Sequence, residues 1–186
     1  MDHKIIQNAI DIASKAHKDQ FRNNGLDPYI KHCLRTSHYI EKVYSKYATT
    51  EVIASFILHD TLEDCPEKEM PIYYEQIYLK CGLITAGYVD LLTKPRDFSF
   101  YRNKRYKARL YTSPKEVIII KLSDRIDNLS DLAQSGWDMK KLLWYIKDSV
   151  SIYELACSRG LIQEARYLLN AIMEAETYIH TLNVHV

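Results

Sequence analysis

This 186-residue sequence lacks long apolar runs, closely paired cysteines and an excess of charge of either sign. No apolar stretch approaches the roughly 18 residues of a membrane span. Charged residues interrupt the N-terminal segment every few positions, which is not the pattern of a signal peptide. We therefore expect neither membrane insertion nor secretion.

The cysteines are few and widely scattered. There are four of them, Cys33, Cys65, Cys81 and Cys157, and no two form a C-x-x-C pair. This spacing argues against both a zinc knuckle and a disulfide framework. We expect reduced thiols and a cytoplasmic location.

Charge is nearly balanced, with 25 Lys and Arg against 24 Asp and Glu and a formal net charge of +1. No overall field would hold a polyanion, so we do not expect nucleic acid as a partner. Glycine and proline number only five each, and 47% of residues are hydrophobic, which is typical of an ordered globular protein. The length predicts a single domain over residues 1–186, with no room for a second.

Apolar residues recur at helical spacing along most of the chain and predict an all-α orthogonal bundle of about eight helices. The first helix is expected to run from Ile5 toward Gln20, and Thr49 or Thr50 can cap a third helix that Pro66 stops. Ser113-Pro114-Lys115-Glu116 has the composition of a capping box. The run that follows, Val117–Ile120, has strand propensity, but we predict helix because no other run could supply a partner strand.

A charged string, His59-Asp60-Thr61-Leu62-Glu63-Asp64, follows the apolar third helix. Helical spacing would group one imidazole and three carboxylates beside the core, and a divalent cation would compensate such a cluster. The alternative is a solvated helix end whose histidine favours the helix dipole. For the His-Asp pair alone, that alternative is the better explanation.

His32 and Asp124 raise the weight of the metal hypothesis, because helices of one bundle could bring them to the same place. Two imidazoles and two carboxylates suit manganese, iron or zinc. Asn128 lies four residues after Asp124 and could face the same cavity. In the alternative, Asp124 simply pairs with Arg125 or Lys121 on the surface.

Four segments together resemble the hydrolase domain of the RelA/SpoT family, HD-domain enzymes that degrade the alarmone ppGpp, and particularly its small single-domain members. They are AHKDQFRNNGLDPYIKH, LHDTLEDCP, LLTKPRDFSFYRNKRYKARLY and VIIIKLSDRIDNLSDL. The resemblance implies an HD-type helical fold and Mn²⁺ held by His32, His59, Asp60 and Asp124. It also implies that Glu63 and Asp64 activate water, so that pyrophosphate leaves the ribose 3′ position and GDP or GTP remains.

The same resemblance implies contacts to a small nucleotide substrate. Arg22 would stack on the guanine base with Tyr29 beside it, and Asn128 would contact the ribose. Arg96, Lys141 and Tyr145 would lie near the polyphosphate. No protein partner is implied.

The sequence departs from the family pattern at three positions. Cys33 replaces the usual proline after the metal histidine, and Asp127 replaces a common histidine before Asn128. Asn23 replaces a lysine or arginine, so one phosphate contact is missing. His17 is interpreted as a structural hydrogen-bonding residue.

Two other functions remain open at this point. The first is phosphohydrolysis of another nucleotide, either NADPH at its 2′-phosphate or ppApp. The second is a nucleotide-binding regulator without turnover, which would be expected to lose ligands or the Glu-Asp pair. The sequence retains Glu63 and Asp64, which favours an enzyme.

Overall fold

Helices make up the regular structure of the described residues, 1–22, 25–96 and 100–184 of this computed structural model, with one isolated bridge between Phe21 and Pro28. The α-helices of this part of the chain are α1 (His3–Ala16), α2 (Ile30–Val43), α3 (Thr50–Leu58), α4 (Thr61–Asp64), α5 (Met70–Cys81), α6 (Leu83–Leu92), α7 (Phe100–Thr112), α8 (Lys115–Ser130), α9 (Met139–Ser158) and α10 (Ile162–Val184). The predicted all-α class is confirmed.

Helices α3 and α8 form the centre of the bundle. Helix α3 packs against α1, α2, α6 and α8, and α8 also packs against α2, α9 and α10. Every residue from Val52 to Leu58 is buried, as is every residue from Val117 to Arg125. The helix predicted at Val117–Ile120 is confirmed, because burial on all sides outweighs the strand propensity of β-branched residues.

The third helix is shorter than the sequence predicts. It ends at Leu58, and α4 begins at Thr61 as a separate single turn. The His59 N–H donates to the Phe56 carbonyl at 3.2 Å, a tighter turn than the α-helical pattern. The prediction of one continuous helix up to Pro66 is therefore wrong, and His59 and Glu63 do not share a regular helix face.

Two further boundaries differ from expectation. Helix α1 ends at Ala16 rather than near Gln20, and the Gln20 carbonyl instead accepts from the Tyr29 N–H at 2.9 Å. The prediction of a capping box at Ser113 is wrong as well. The Ser113 hydroxyl instead donates to the Arg109 carbonyl at 2.8 Å, in the last turn of α7. The predicted cap at Thr49 is confirmed, since its hydroxyl accepts from the Val52 N–H at 3.3 Å.

The two longest helices, α9 and α10, form an antiparallel pair joined at Gly160, whose φ of +75° lies in the left-handed region. Each is amphipathic and lays its apolar side on the core. Among the described residues, none of the helices combines the length and apolar character needed to cross a bilayer.

Candidate functional site

The four residues predicted as metal ligands come together between the central helices. His32 lies in α2, His59 directly follows α3, Asp60 precedes α4, and Asp124 lies in α8. Each offers one ligand atom, and these atoms all lie within 4.8 Å of one another. His32, His59 and Asp124 are buried and Asp60 is half-buried.

The distances within this cluster fit a bound divalent ion. The Nε2 atoms of His32 and His59 are 3.4 Å apart, and Asp124 Oδ1 lies 3.5 Å from each of them. Ligands held at about 2.0–2.2 Å in a tetrahedral site are about 3.3–3.6 Å apart. Asp60 Oδ2 is closer, 2.8 Å from His59 Nε2. The donor set and its spacing therefore suit a metal ion.

Both imidazoles are oriented by acceptors on their outer sides. His59 Nδ1 lies 2.8 Å from the Phe56 carbonyl, which can only accept a hydrogen bond. His32 Nδ1 lies 2.6 Å from Asp127 Oδ2. A hydrogen on each Nδ1 leaves each Nε2 free to face the centre of the cluster, the orientation that metal ligation requires.

The electrostatics of the cluster favour a cation at its centre. Burial alone would lower the pKa of His59, but Asp60 and Asp124 raise that pKa to about 10. The pKa of Asp60 is held below its usual range by the His59 imidazolium, despite burial. The two carboxylates thus place negative charge beside both imidazoles, which a divalent cation would compensate.

Asp124 also contacts a buried lysine. Lys121 Nζ donates to Asp124 Oδ2 at 2.6 Å, while Oδ1 faces the two imidazoles. Arg125 turns away and donates to Asp148 Oδ2 at 2.7 Å. The surface pairing considered for Asp124 is therefore wrong: the pair with Lys121 exists, but it is buried within the cluster.

Glu63 and Asp64 lie in α4, in the wall of a cavity next to the cluster. Glu63 Oε2 accepts from the Lys94 backbone N–H at 3.1 Å, and its Oε1 lies 3.3 Å from Lys94 Nζ. The Asp64 side chain is 34% exposed. Partial burial, together with Asp60 and Glu63, raises its pKa to about 7. A carboxylate with such a pKa can exchange a proton near neutral pH.

The cavity beside the cluster has a volume of about 660 Å³, within the usual range for small-molecule sites. It brings together most of the predicted site residues with lysines and aromatic side chains. Among the predicted residues, the lining includes Tyr29, Asp60, Glu63, Asp64, Asp124, Asn128, Lys141 and Tyr145.

The Asn128 amide donates to Asp124 Oδ1 at 2.5 Å, and the Tyr29 hydroxyl donates to Asp60 Oδ2 at 2.5 Å. Tyr29 also stacks on His17, with ring centroids 4.8 Å apart. Two predicted substrate-binding residues therefore also contact the carboxylates of the cluster.

Comparison with protein-family models finds no match. A solved structure, described as a metazoan orthologue of SpoT that hydrolyses ppGpp and plays a role in starvation responses, shares the fold. It matches with a TM-score of 0.65 and 22% identity over 87% of this chain and 99% of that chain. The predicted HD-type helical fold is thereby confirmed.

Sequence similarity extends to curated bacterial proteins. A guanosine-3′,5′-bis(diphosphate) 3′-pyrophosphohydrolase of Haemophilus influenzae is 30% identical over 149 residues, 76% of this chain and 20% of that protein. A protein of the same name from Spiroplasma citri is 30% identical over 163 residues, 84% of this chain and 20% of that protein. The resemblance to the RelA/SpoT-type hydrolase domain is confirmed. The chain spans about a fifth of the length of these relatives.

Two arginines that the RelA/SpoT resemblance assigns to substrate are occupied elsewhere. Arg22 is buried, and its Nε and Nη2 donate to Asp131 Oδ2 at 3.2 and 2.9 Å.

Arg96 Nη2 donates to the Leu62 carbonyl at 3.0 Å and also to the Cys65 carbonyl. Arg96 thus braces the backbone on both sides of Glu63 and Asp64. Asn23 lies outside the described residues.

Several residues of the site were not predicted for it. Lys121 precedes Asp124 by three residues and so shares its helix face, a signal that the sequence does contain. Asp127 follows Asp124 by the same interval. The cavity-lining residues Tyr106 and Trp137 have no comparable sequence signal, because tertiary packing alone brings them to the pocket.

Proposed function

We propose that this chain is a metal-dependent phosphohydrolase that cleaves ppGpp or pppGpp at the 3′ position, giving pyrophosphate and GDP or GTP. The observation that carries the proposal is the cluster of His32, His59, Asp60 and Asp124 beside a nucleotide-sized cavity. The bacterial relatives named for this reaction support the choice of substrate.

Mn²⁺ is the proposed ion, held by these two imidazoles and two carboxylates, a ligand set that suits it. When bound, the ion supplies Lewis-acid charge that polarises phosphate and makes water more acidic. The outer contacts of the two imidazoles, at Phe56 and Asp127, keep both Nε2 atoms in place for it.

Asp64 is the proposed base. It takes a proton from the attacking water while the bond between phosphorus and the ribose 3′ oxygen breaks, and it then gives this proton to the 3′ oxygen. Glu63, held by Lys94 through two contacts, adds negative charge next to Asp64 and helps to keep its pKa near the working pH. Their adjacent positions in α4 place both carboxylates in the cavity wall.

Lysines of the cavity are the proposed contacts for the phosphates. Lys141 lines the cavity with its Nζ 4.0 Å from the centre of the Trp137 ring. Among the described residues, Lys141 forms no ion pair with a carboxylate, whereas the other cavity lysines, Lys94, Lys107 and Lys121, do. Lys141 is thus the cavity lysine best able to reach an incoming phosphate.

The test is to incubate the pure, metal-free chain with Mn²⁺ and separate samples of ppGpp, ppApp and NADPH, and to identify the products by chromatography. We expect pyrophosphate and GDP from ppGpp, at the highest kcat/KM of the three. A higher kcat/KM for NADPH, or orthophosphate as the product from ppGpp, would contradict the proposal.

A further inference from the structure

Asp127 lies behind the cluster formed by the four proposed metal ligands. It lies in α8 one turn after Asp124, is 7% exposed, and contacts His32 from the side opposite to the cluster. Its Oδ2 accepts from His32 Nδ1 at 2.6 Å. One helix therefore supplies both a proposed metal ligand and the group that orients another ligand on α2.

A second residue fixes the direction of the Asp127 carboxylate. Arg35 donates from Nε to Oδ1 at 2.6 Å and from Nη2 to Oδ2 at 2.7 Å, a two-pronged contact. The positive guanidinium held against both oxygens favours the ionised form of Asp127, with one oxygen directed at the imidazole.

An ionised carboxylate can only accept hydrogen bonds, so it selects the imidazole form with hydrogen on Nδ1 and a lone pair on Nε2. It also makes the imidazole a stronger donor to a metal ion than a neutral acceptor would. His59 has only the Phe56 carbonyl for this purpose. The two imidazoles of the cluster are therefore not equivalent.

We propose that Asp127 is a positioning residue of the metal centre, which fixes the tautomer and orientation of His32 and strengthens its bond to the ion. The inference rests on the proposed function, since it presupposes that His32 binds metal. It gives a role to a position at which the sequence departs from the family pattern. The competing explanation is that Asp127 only anchors Arg35.

Asp131 provides a control for the loss of carboxylate contacts with arginine: it accepts from Arg35 Nη2 at 3.0 Å and from Arg22 Nη2 at 2.9 Å. Within the described part of the chain, it has no hydrogen bond or ion pair with His32. Mn²⁺ is titrated into the metal-free full chain by calorimetry, for the wild type, Asp127→Ala and Asp131→Asn. We expect Asp127→Ala to weaken Mn²⁺ binding by about 10- to 100-fold, the usual effect of losing such a partner. Asp131→Asn should bind as the wild type does.

A second measurement uses the wild type and needs no stable variant at Asp127. Long-range ¹H–¹⁵N spectra of the metal-free chain, with the His32 signals identified by their loss in His32→Gln, locate the imidazole hydrogen. We expect a hydrogen on Nδ1 of His32. An imidazole protonated on Nε2 alone, or equal Mn²⁺ affinity in Asp127→Ala and wild type, would overturn the inference. Failure of the wild type to bind Mn²⁺ would instead contradict the proposed metal centre, while the spectra would still decide the role of Asp127.

Discussion

At the scale of single residues, Lys121 compensates the negative charge of Asp124 in the site. Its ammonium is buried against Asp124, and burial alone would lower its pKa, but the Asp124 carboxylate raises it. The ion pair therefore keeps Asp124 ionised when no metal is bound. A divalent ion would add a second compensating charge on the opposite oxygen of the same carboxylate.

Lys121→Met should destabilise the metal-free chain by about 3–5 kcal/mol, since removing one partner of a buried ion pair leaves the other charge uncompensated. Mn²⁺ should recover part of this loss, because it binds the remaining carboxylate. Urea unfolding of variant and wild type, with and without Mn²⁺, measures both effects. An equal loss of stability with and without Mn²⁺ would show that the metal does not compensate the charge of Asp124.

The proposed division of roles predicts two classes of variant. Glu63→Gln and Asp64→Asn should lower kcat by about 10²- to 10⁴-fold, the usual share of acid–base catalysis, with Mn²⁺ content near normal. His59→Ala and Asp60→Ala should lose the metal itself. Metal analysis alongside kinetics separates the classes, and equal metal loss in all four variants would refute the division.

Asp64 also predicts a dependence of stability on pH. Its pKa rises from an ordinary value of ~3.9 to about 7 on folding, so between these values the folded chain binds more protons than the unfolded chain. Its contribution to stability must therefore fall as pH rises through this window. The Tm of the metal-free wild type, relative to Asp64→Asn, should decrease from pH 4 to 7. A difference that stays constant over this range would argue against the raised pKa.

At the scale of elements, the sequence was most informative where burial dominates. The helical spacing of Asp124 and Asn128 correctly placed both on one side of α8. It failed between His59 and Asp64, because the break after Leu58 has no local signal: no glycine or proline lies there, and the neighbouring His59 and Thr61 are buried. The Ser113 cap failed for a similar reason: its hydroxyl has a competing acceptor in the preceding helix.

Alanine substitution is expected to have opposite effects on stability at Gly160 and Gly87. Gly160 has φ +75°, so Gly160→Ala should cost about 1–2 kcal/mol although the space for a Cβ is adequate. Gly87 lies inside α6 with nothing within 4 Å of a Cβ, so Gly87→Ala should stabilise the chain by about 0.4–1 kcal/mol. Thermal unfolding of both variants shows whether each substitution raises or lowers stability. Stabilisation by Gly160→Ala would contradict the left-handed conformation of Gly160 between α9 and α10.

At the scale of the whole molecule, the two buried helices bring His59 and Asp124 together, and Asp124 also lines the cavity. Helices α7, α8 and α9 supply most of the cavity wall. The cluster of His32, His59, Asp60 and Asp124 was predictable because its residue types are distinctive. The ion pair between Arg22 and Asp131 was not, because it joins residues 109 positions apart. Contacts of that kind depend on the final packing, and they place Arg22 outside the lining of the cavity.

The most direct test of the whole account is the ppGpp hydrolysis rate of the metal-free chain as Mn²⁺ is added back in known amounts. We predict no turnover without metal, and release of pyrophosphate that rises until one ion is bound per chain, with His59→Ala inactive throughout. Undiminished turnover after exhaustive chelation, with metal content verified as negligible, would contradict the account, and so would full activity of His59→Ala.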